Sequence, residues 1–244
     1  LTAASARLAE SLARERALDS SRRELVAWVS HDLRTPLAGI RAMVEALEDR
    51  LVQGDDVDRY YRTLGTETER LAGLVDDLFE LSRIESSALR LTMERVSLGE
   101  VVSDALAGAG PIARAKGVRP DGTVREPSPV VEAATAELTR VLRNLLDNAI
   151  RHTPADGSVM IEAGADEVDA FITVRDSCGG IPSHEIDRVF DLAFRGDPAR
   201  TPGESGGAGL GLAIARGLVE AHHGEIAVAN EGGGCRFTVR LPLR

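Results

Sequence analysis

The chain has 244 residues, of which 43% are apolar and only 3% aromatic, so aliphatic side chains and alanine must build its core. Its 29 basic and 39 acidic residues leave a formal charge of -10, which argues against a general nucleic-acid binder. The two cysteines, Cys178 and Cys235, stand far apart in sequence without metal-ligand spacing, and they suggest a reducing compartment with no disulfide framework.

Residues 1 to about 51 read as one long helix. Leu8, Leu12, Leu18, Leu25 and Val29 recur at threes and fours with charges between them, as in a coiled-coil seam. Pro36 falls inside the pattern and predicts a bend. Gln53-Gly54-Asp55-Asp56 breaks the helix, and a second one is expected from about Val57 to Ile84. Its apolar side carries Tyr60, Leu64, Leu71, Leu74, Leu78 and Leu81. One such hairpin buries little alone, so pairing with a second hairpin in a four-helix bundle is expected. Leu89 to Met93 alternates like a strand, and Ser97-Leu98-Gly99-Glu100 reads as a capping box opening a helix to about Ala115. A helix is expected from Thr135 to His152, strands over Ser158–Ala163 and Ala170–Asp176, and a helix from Gly209 to His222. Strands Glu225–Ala229 and Cys235–Leu241, joined by Asn230-Glu231-Gly232-Gly233-Gly234, close the chain. The fold class is therefore α+β: a helical hairpin, then an α/β sandwich with helices on one face of a mostly antiparallel sheet.

No apolar run approaches the ~20 residues that span a membrane, and no signal peptide is visible. The opening Leu1-Thr2-Ala3-Ala4 reads as mid-helix, so the chain is expected to be the soluble part of something longer.

Four segments carry chemistry. Ser30-His31-Asp32-Leu33-Arg34-Thr35-Pro36-Leu37 sets a histidine beside a carboxylate. At about 100° per residue, Leu25, Val29, Leu33, Leu37, Ile40, Val44 and Leu47 form one stripe, and His31 faces the other way. A solvent-facing imidazole is a nucleophile near neutral pH, and a neighbouring carboxylate stabilises positive charge on it. In the second segment, Asn144, Asn148, Arg151 and His152 share one helix face, with amide oxygens suited to Mg²⁺ and an arginine fork suited to phosphate. In the third, Asp176-Ser177-Cys178-Gly179-Gly180 places a carboxylate at a strand end before a tight turn, where it could accept from an exocyclic amine. In the fourth, Gly203 to Leu212 brings glycine-rich backbone to a helix N-terminus, where free N–H groups and the helix dipole favour an anion. This is neither a P-loop nor a good dinucleotide fingerprint. The Gly- and Pro-rich stretch from about Asp191 to Gly207 reads as a mobile lid.

In this order the segments closely resemble the catalytic core of sensor histidine kinases over residues 20 to 244. Residues 30–37 resemble the family's phosphoacceptor box, Asn144–His152 its N box, Asp176–Gly180 its G1 box, Phe190–Phe194 its F box and Gly207–Gly211 its G2 box. The resemblance implies a Bergerat-type ATP-binding domain, with ATP and Mg²⁺. It implies that His31 attacks the γ-phosphate, that Asp32 is the neighbouring base, and that Thr35 places water when a partner is dephosphorylated. It implies Asn148 on Mg²⁺ with Asn144 beside it, Arg151 on phosphate, His152 against the nucleotide and Asp176 on the adenine amine. It implies that Gly180 completes the adenine turn and that Gly207, Gly209, Leu210 and Gly211 cradle phosphates. The implied domains are a signalling helix (1–20), a dimerisation and phosphotransfer hairpin (21–84), a linker (85–94) and the ATP-binding domain (95–244). The implied partners are a second copy and a response regulator receiver domain, with no nucleic acid. Membrane attachment would come only through a preceding sensor region, leaving this portion in the cytoplasm beneath a bacterial inner membrane.

The chain departs from the family's Asp-x-Gly-x-Gly at Cys178. Either Cys178 holds an ordinary φ and is neutral, or it is strained, or its thiol is a redox brake. The neutral reading is adopted; the redox reading ranks last, because nothing nearby in sequence would clearly lower the thiol's pKa. Arg151 also replaces a more usual lysine, which keeps the charge and changes the geometry. Two rival classes are a Bergerat-fold ATPase that clamps a dimer, which needs no acceptor histidine, and a signalling scaffold with a dead nucleotide site.

Overall fold

The computed structural model describes residues 29–86, 88–192, 194 and 209–243. The coiled-coil seam expected before Val29 and most of the expected lid lie outside these residues. The chain forms two compact units, Leu1–Leu78 and Phe79–Arg244.

In the first unit, helix α1 is described over residues 29–48 and runs unbroken through Pro36. It ends earlier than the Gln53-Gly54 signal suggests. Arg50 turns left-handed (φ 54°), Arg50 N–H donates to the Leu47 carbonyl, and Leu51 N–H reaches back to Ala46. This is a Schellman stop built on a non-glycine residue. Gly54 (φ 62°) completes the reversal. Helix α2, Asp55–Glu85, opens on Asp55, Asp56 and Asp58, whose charges suit a helix N-terminus.

The second unit begins within α2. The last turns of that helix pack here through Leu81, a buried residue, and through Ile84, which fills the notch left by Gly217. Glu80 sits among these turns and accepts from Arg140 (3.5 Å) and Arg83 (3.4 Å). The division between the two compact units falls at Phe79, inside α2.

The elements that follow are β1 (Glu94–Ser97), α3 (Leu98–Lys116), β2 (Arg119–Val124), β3 (Val130–Ala133) and α4 (Thr135–His152). After them come β4 (Ser158–Ala165), β5 (Asp169–Asp176), a 3₁₀ turn (Ile186–Arg188), α5 (Gly211–Ala221), β6 (Glu225–Glu231) and β7 (Gly234–Pro242). Residues 89–93, expected as a strand, are not one; pairing starts at Glu94, where β1 meets β3 antiparallel in a two-stranded sheet. The main sheet has the order β2-β4-β5-β7-β6, and only β2–β4 is parallel.

Alternation along the strands and the 3.6 period of the helices meet in one core. Val159, Ile161 and Ala163 of β4, Ile172 and Val174 of β5, and Phe237, Val239 and Leu241 of β7 are all buried. Leu138, Val141, Leu142, Leu145, Leu146 and Ile150 of α4 are buried with them, and Ile214 and Leu218 of α5 complete the layer. Each fully buried Leu or Ile is worth roughly 1.5–3 kcal/mol.

Side chains tie the helix ends. The expected capping box does not form: Ser97 is the N-cap residue of α3 but makes no side-chain cap bond. Instead the Gly99 N–H donates to Ser128 Oγ, and Ser97 Oγ lies 3.1 Å from the same hydroxyl. At the other end of the layer, Lys116 donates to the Ile150 and Arg151 carbonyls at the α4 C-terminus, where a cation opposes the helix dipole. Burial and the nearby Arg151 charge push the Lys116 pKa down.

His222 follows α5 and is 2% exposed. Its Nε2 accepts from the Ala134 N–H (3.0 Å) and its Nδ1 faces the Leu218 carbonyl (2.7 Å). A carbonyl only accepts, so the proton is on Nδ1, and one neutral imidazole joins the α4 entrance to the α5 exit. His222→Ala strands the Ala134 N–H in the core and is expected to cost about 1–3 kcal/mol. Urea denaturation of wild type and variant measures it; a change below ~0.5 kcal/mol would mean the imidazole is not the tie.

Candidate functional site

The chemistry-bearing residues fall in two groups, one in each unit. In the first unit, His31 lies on α1 with its side chain 79% exposed. Its Nδ1 is 3.2 Å from Asp32 Oδ1, and the Asp32 side chain is only 8% exposed. A nearly buried carboxylate therefore steadies an almost fully exposed ring. Thr35, one turn on, donates its hydroxyl to the His31 carbonyl at 3.3 Å. The α-helix sets these placements: Thr35 at i+4 comes back to the His31 carbonyl on the same face, while Asp32 at i+1 is turned about 100° round the axis toward the buried side.

The second group gathers where α4, the β5–β7 edge and the start of α5 converge. Asn144 and Asn148 sit one turn apart on α4 and are half-buried, as is Arg151; His152 is exposed. Asn144 Nδ2 donates to the Gly211 carbonyl (3.0 Å), so the first residue of α5 is tied to α4. Gly209 is left-handed (φ 69°), Leu210 is fully buried, and a Cβ on Gly211 would sit 3.6 Å from the Asn144 side chain. Gly207 lies outside the described residues. Phe190 is buried and meets Phe237 edge-on, with ring centroids 6.2 Å apart. Phe194 stacks under Arg188.

Asp176 ends β5 at 9% exposed. Its Oδ1 accepts the N–H of Cys178 (2.9 Å) and the N–H of Cys235 (3.1 Å). The carboxylate thus spans the turn after β5 and the start of β7. The strands come this close because Gly234 has no side chain: a Cβ there would overlap the Asp176 carbonyl oxygen. The turn itself is clamped from β6, where Asn230 Oδ1 accepts from Ile181 N–H and Asn230 Nδ2 donates to the Ile181 carbonyl, both at 2.7 Å. Gly179 N–H donates to the Gly233 carbonyl. A cleft of about 460 Å³ opens between this turn and the β6–β7 hairpin, walled mostly by glycine backbone.

The departure at Cys178 now has a structural account. The turn's left-handed positions are Gly179 (φ 85°) and Gly180 (φ 88°), and Cys178 is not among the positive-φ residues. A side chain at 178 therefore carries no left-handed strain. The sequence reading missed what lies beside it. Cys235 Sγ is 2.6 Å from Cys178 Sγ, although the residues are 57 apart in sequence. With Asn230 and Gly234, Cys235 belongs to the machinery that holds Asp176. In sequence these residues form only a hairpin and a strand start, and the register that aligns them is a property of the sheet.

The chain is similar to known proteins. A family model described as the histidine kinase-, DNA gyrase B- and HSP90-like ATPase matches residues 133–244, and one described as the His Kinase A (phospho-acceptor) domain matches residues 21–87. The sensor histidine kinase WalK of Bacillus subtilis is 36% identical over 231 residues, 93% of this chain, and the chain spans 38% of that relative's length. Among solved structures, the Acinetobacter baumannii histidine kinase AdeS aligns with a TM-score of 0.71 at 26% identity, covering 88% of this chain and 98% of that one. Full-length ShkA in complex with AMPPNP aligns with a TM-score of 0.67 at 28% identity, over 90% of this chain and 45% of that one.

Gly234→Ala tests the close approach at Asp176. The added methyl must push β7 from the β5 carbonyl, at an expected cost of about 1–3 kcal/mol. Chemical denaturation measures it, and an undiminished midpoint would show that the strand can step aside.

Proposed function

Because the chain belongs to the sensor histidine kinases, we propose that it is a catalytic core that transfers the γ-phosphoryl group of ATP to His31 and then to an aspartate of a response regulator receiver domain. The observation that carries this reading is the exposed His31, backed by a buried carboxylate, in the same chain as an anchored nucleotide-type site.

Asp32, when ionised, can only accept, so Nδ1 of His31 carries the proton and Nε2 keeps its lone pair. Nε2 attacks the γ-phosphorus, and the N–P bond forms as the P–O bond to ADP breaks. The positive charge that develops on the ring is held by Asp32, which then takes the Nδ1 proton. Thr35, one turn along, orients water when the same surface dephosphorylates the regulator.

In the second unit, Asp176 accepts from the adenine amine; its Oδ1 is committed to two backbone N–H groups, so Oδ2 is the oxygen offered. Gly180 lets the base approach the turn. Arg151 binds phosphate and His152 lies against the nucleotide. The backbone of Gly207, Gly209, Leu210 and Gly211 at the α5 N-terminus receives phosphate oxygens. Mg²⁺ suits the neutral amide oxygens of this α4 face, with Asn148 as ligand and Asn144 beside it; the ion, when bound, offsets phosphate charge.

Exposed apolar residues in the first unit support a homodimer. Leu37 (53% exposed), Tyr61 (61%) and Val75 (40%) lie on its two helices. Burying them in a four-helix bundle with a second copy satisfies both hairpins. Among the described residues no helix is long and apolar enough to cross a membrane. We place this portion on the cytoplasmic side of a longer, membrane-anchored receptor.

Incubation with γ-labelled ATP tests the chemistry. The expected result is protein-bound label that is lost in acid and stable in base, as for a phosphoramidate. Label only in free phosphate would indicate a clamp-type ATPase, and no label a scaffold. His31→Gln should stay folded, bind ATP and take up no phosphate; full labelling of this variant would refute the assignment.

Asn148→Ala should lose autophosphorylation while keeping His31 intact as an acceptor. Normal Mg²⁺-ATP turnover in this variant would remove Asn148 from the mechanism. For assembly, sedimentation at micromolar concentration should give a dimer, and a monomer would contradict the bundle.

A further inference from the structure

Two thiols meet beside the carboxylate assigned to adenine. Neither Cys178 nor Cys235 is in a disulfide, and their sulfurs lie 2.6 Å apart. Cys178 is half-buried and Cys235 is 2% exposed. Asp176 Oδ1 accepts the backbone N–H of each. Carboxylate and sulfurs together form a set whose ligand atoms lie within 4.8 Å of one another. The carboxylate oxygen already has two N–H partners, so the two sulfurs are better suited to react with each other than to complete a cation site with Asp176.

We propose that Cys178 and Cys235 form a redox site, a dithiol that peroxides oxidise to an intramolecular disulfide, weakening nucleotide binding through the shared Asp176. Cys178 is the attacking thiol, because its sulfur is the accessible one. Its thiolate attacks one oxygen of the peroxide and breaks the O–O bond, giving a sulfenic acid and a hydroxide or alkoxide that takes up a proton. The Cys235 sulfur then attacks the Cys178 sulfur. The S–S bond forms, water leaves, and the Cys235 proton goes with it. Two thiols and one hydrogen peroxide become one disulfide and two waters. A thiol reductant reverses the change.

Three features support the assignment. The Cys178 sulfur also receives the Gly180 N–H at 3.3 Å, which favours a thiolate there. Hydrogen bonding from the Cys235 thiol, and to a smaller extent from Gly180, pulls the Cys178 pKa below the ordinary thiol value despite burial and the Asp176 charge. Bond formation asks the sulfurs to close only about 0.5 Å. That shift is transmitted, because the backbone N–H groups of both cysteines are the two that hold Asp176 Oδ1. A binding constellation tolerates only about 0.5 Å of error. Oxidation also removes the thiolate charge that the Gly180 N–H meets, which loosens the turn.

The effect on binding rests on the reading of Asp176 as the adenine acceptor; the cross-link itself does not. The test uses the full 244-residue chain, reduced and freed of reductant. It is treated with hydrogen peroxide, blocked with an alkylating agent and mapped by mass spectrometry, with calorimetric ATP affinity measured on each form. The expected result is a Cys178–Cys235 peptide cross-link, ATP affinity weakened about fivefold or more, and recovery with dithiothreitol. Cys235→Ala and Cys235→Ser should each show a sulfenic acid on Cys178, no cross-link and no dithiothreitol-reversible weakening. Absence of the cross-link under peroxide that oxidises Cys178 in these variants would overturn the proposal. A quantitative cross-link with unchanged ATP affinity would also overturn it. A reduced chain that binds no ATP at all would overturn the nucleotide reading, while the mapped cross-link would still stand or fall on its own.

Discussion

One carboxylate oxygen organises the β5–β7 end of the second unit. Asp176 Oδ1 bridges two backbone N–H groups that belong to different strand connections. The bridge is possible only because β7 begins on a glycine that can lie against the β5 carbonyl. Two such bonds to an ionised acceptor are each stronger than a bond between neutral groups. They fix the carboxylate before any ligand arrives. The Asn230 clamp and the Gly179–Gly233 bond then hold the turn from its other side. Preorganisation of this kind is what a binding group needs, since a side chain left to find its own position loses affinity to entropy.

The helices serve the same end. Alpha-4 carries both asparagines, and its position is set at each end by a residue from elsewhere: His222 at the entrance through Ala134, and Lys116 at the exit through the last carbonyls. Asn144 passes that position on to Gly211 and hence to α5. Each of these bonds joins segments far apart in sequence, so the site is assembled by tertiary structure around a locally formed helix.

How much of this could be read beforehand follows from the range of each interaction. Local signals were legible. The helix expected over Thr135–His152 forms, and the strands expected over 158–163, 170–176, 225–229 and 235–241 match β4, β5, β6 and β7. The ordered boxes pointed to the family that the chain belongs to. Signals that depended on a distant partner were not legible. Ser97-Leu98-Gly99-Glu100 reads as a self-contained cap, yet the hydroxyl that takes the Gly99 N–H comes from Ser128. Leu89–Met93 alternates like a strand, but its partner β3 is in register only from Glu94 onward. Cys178 looked isolated because the sulfur next to it is 57 residues away. At α1, Arg50 adopts the left-handed stop that sequence logic reserves for glycine, and so the helix ends before the obvious breaker.

The placement of left-handed backbone at 179 and 180 has a consequence for how such a site can diverge. Where a turn delegates its left-handed positions to two glycines, the residue before them keeps its backbone N–H on the carboxylate but is released from any demand on its side chain. It can be exchanged without refolding the turn, although it lies against the carboxylate and points at a strand start. Position 178 is thus a tuning point. Substituting it adjusts polarity and reactivity beside a fixed carboxylate, and chains that share this turn can acquire individual sensitivities there at little structural risk.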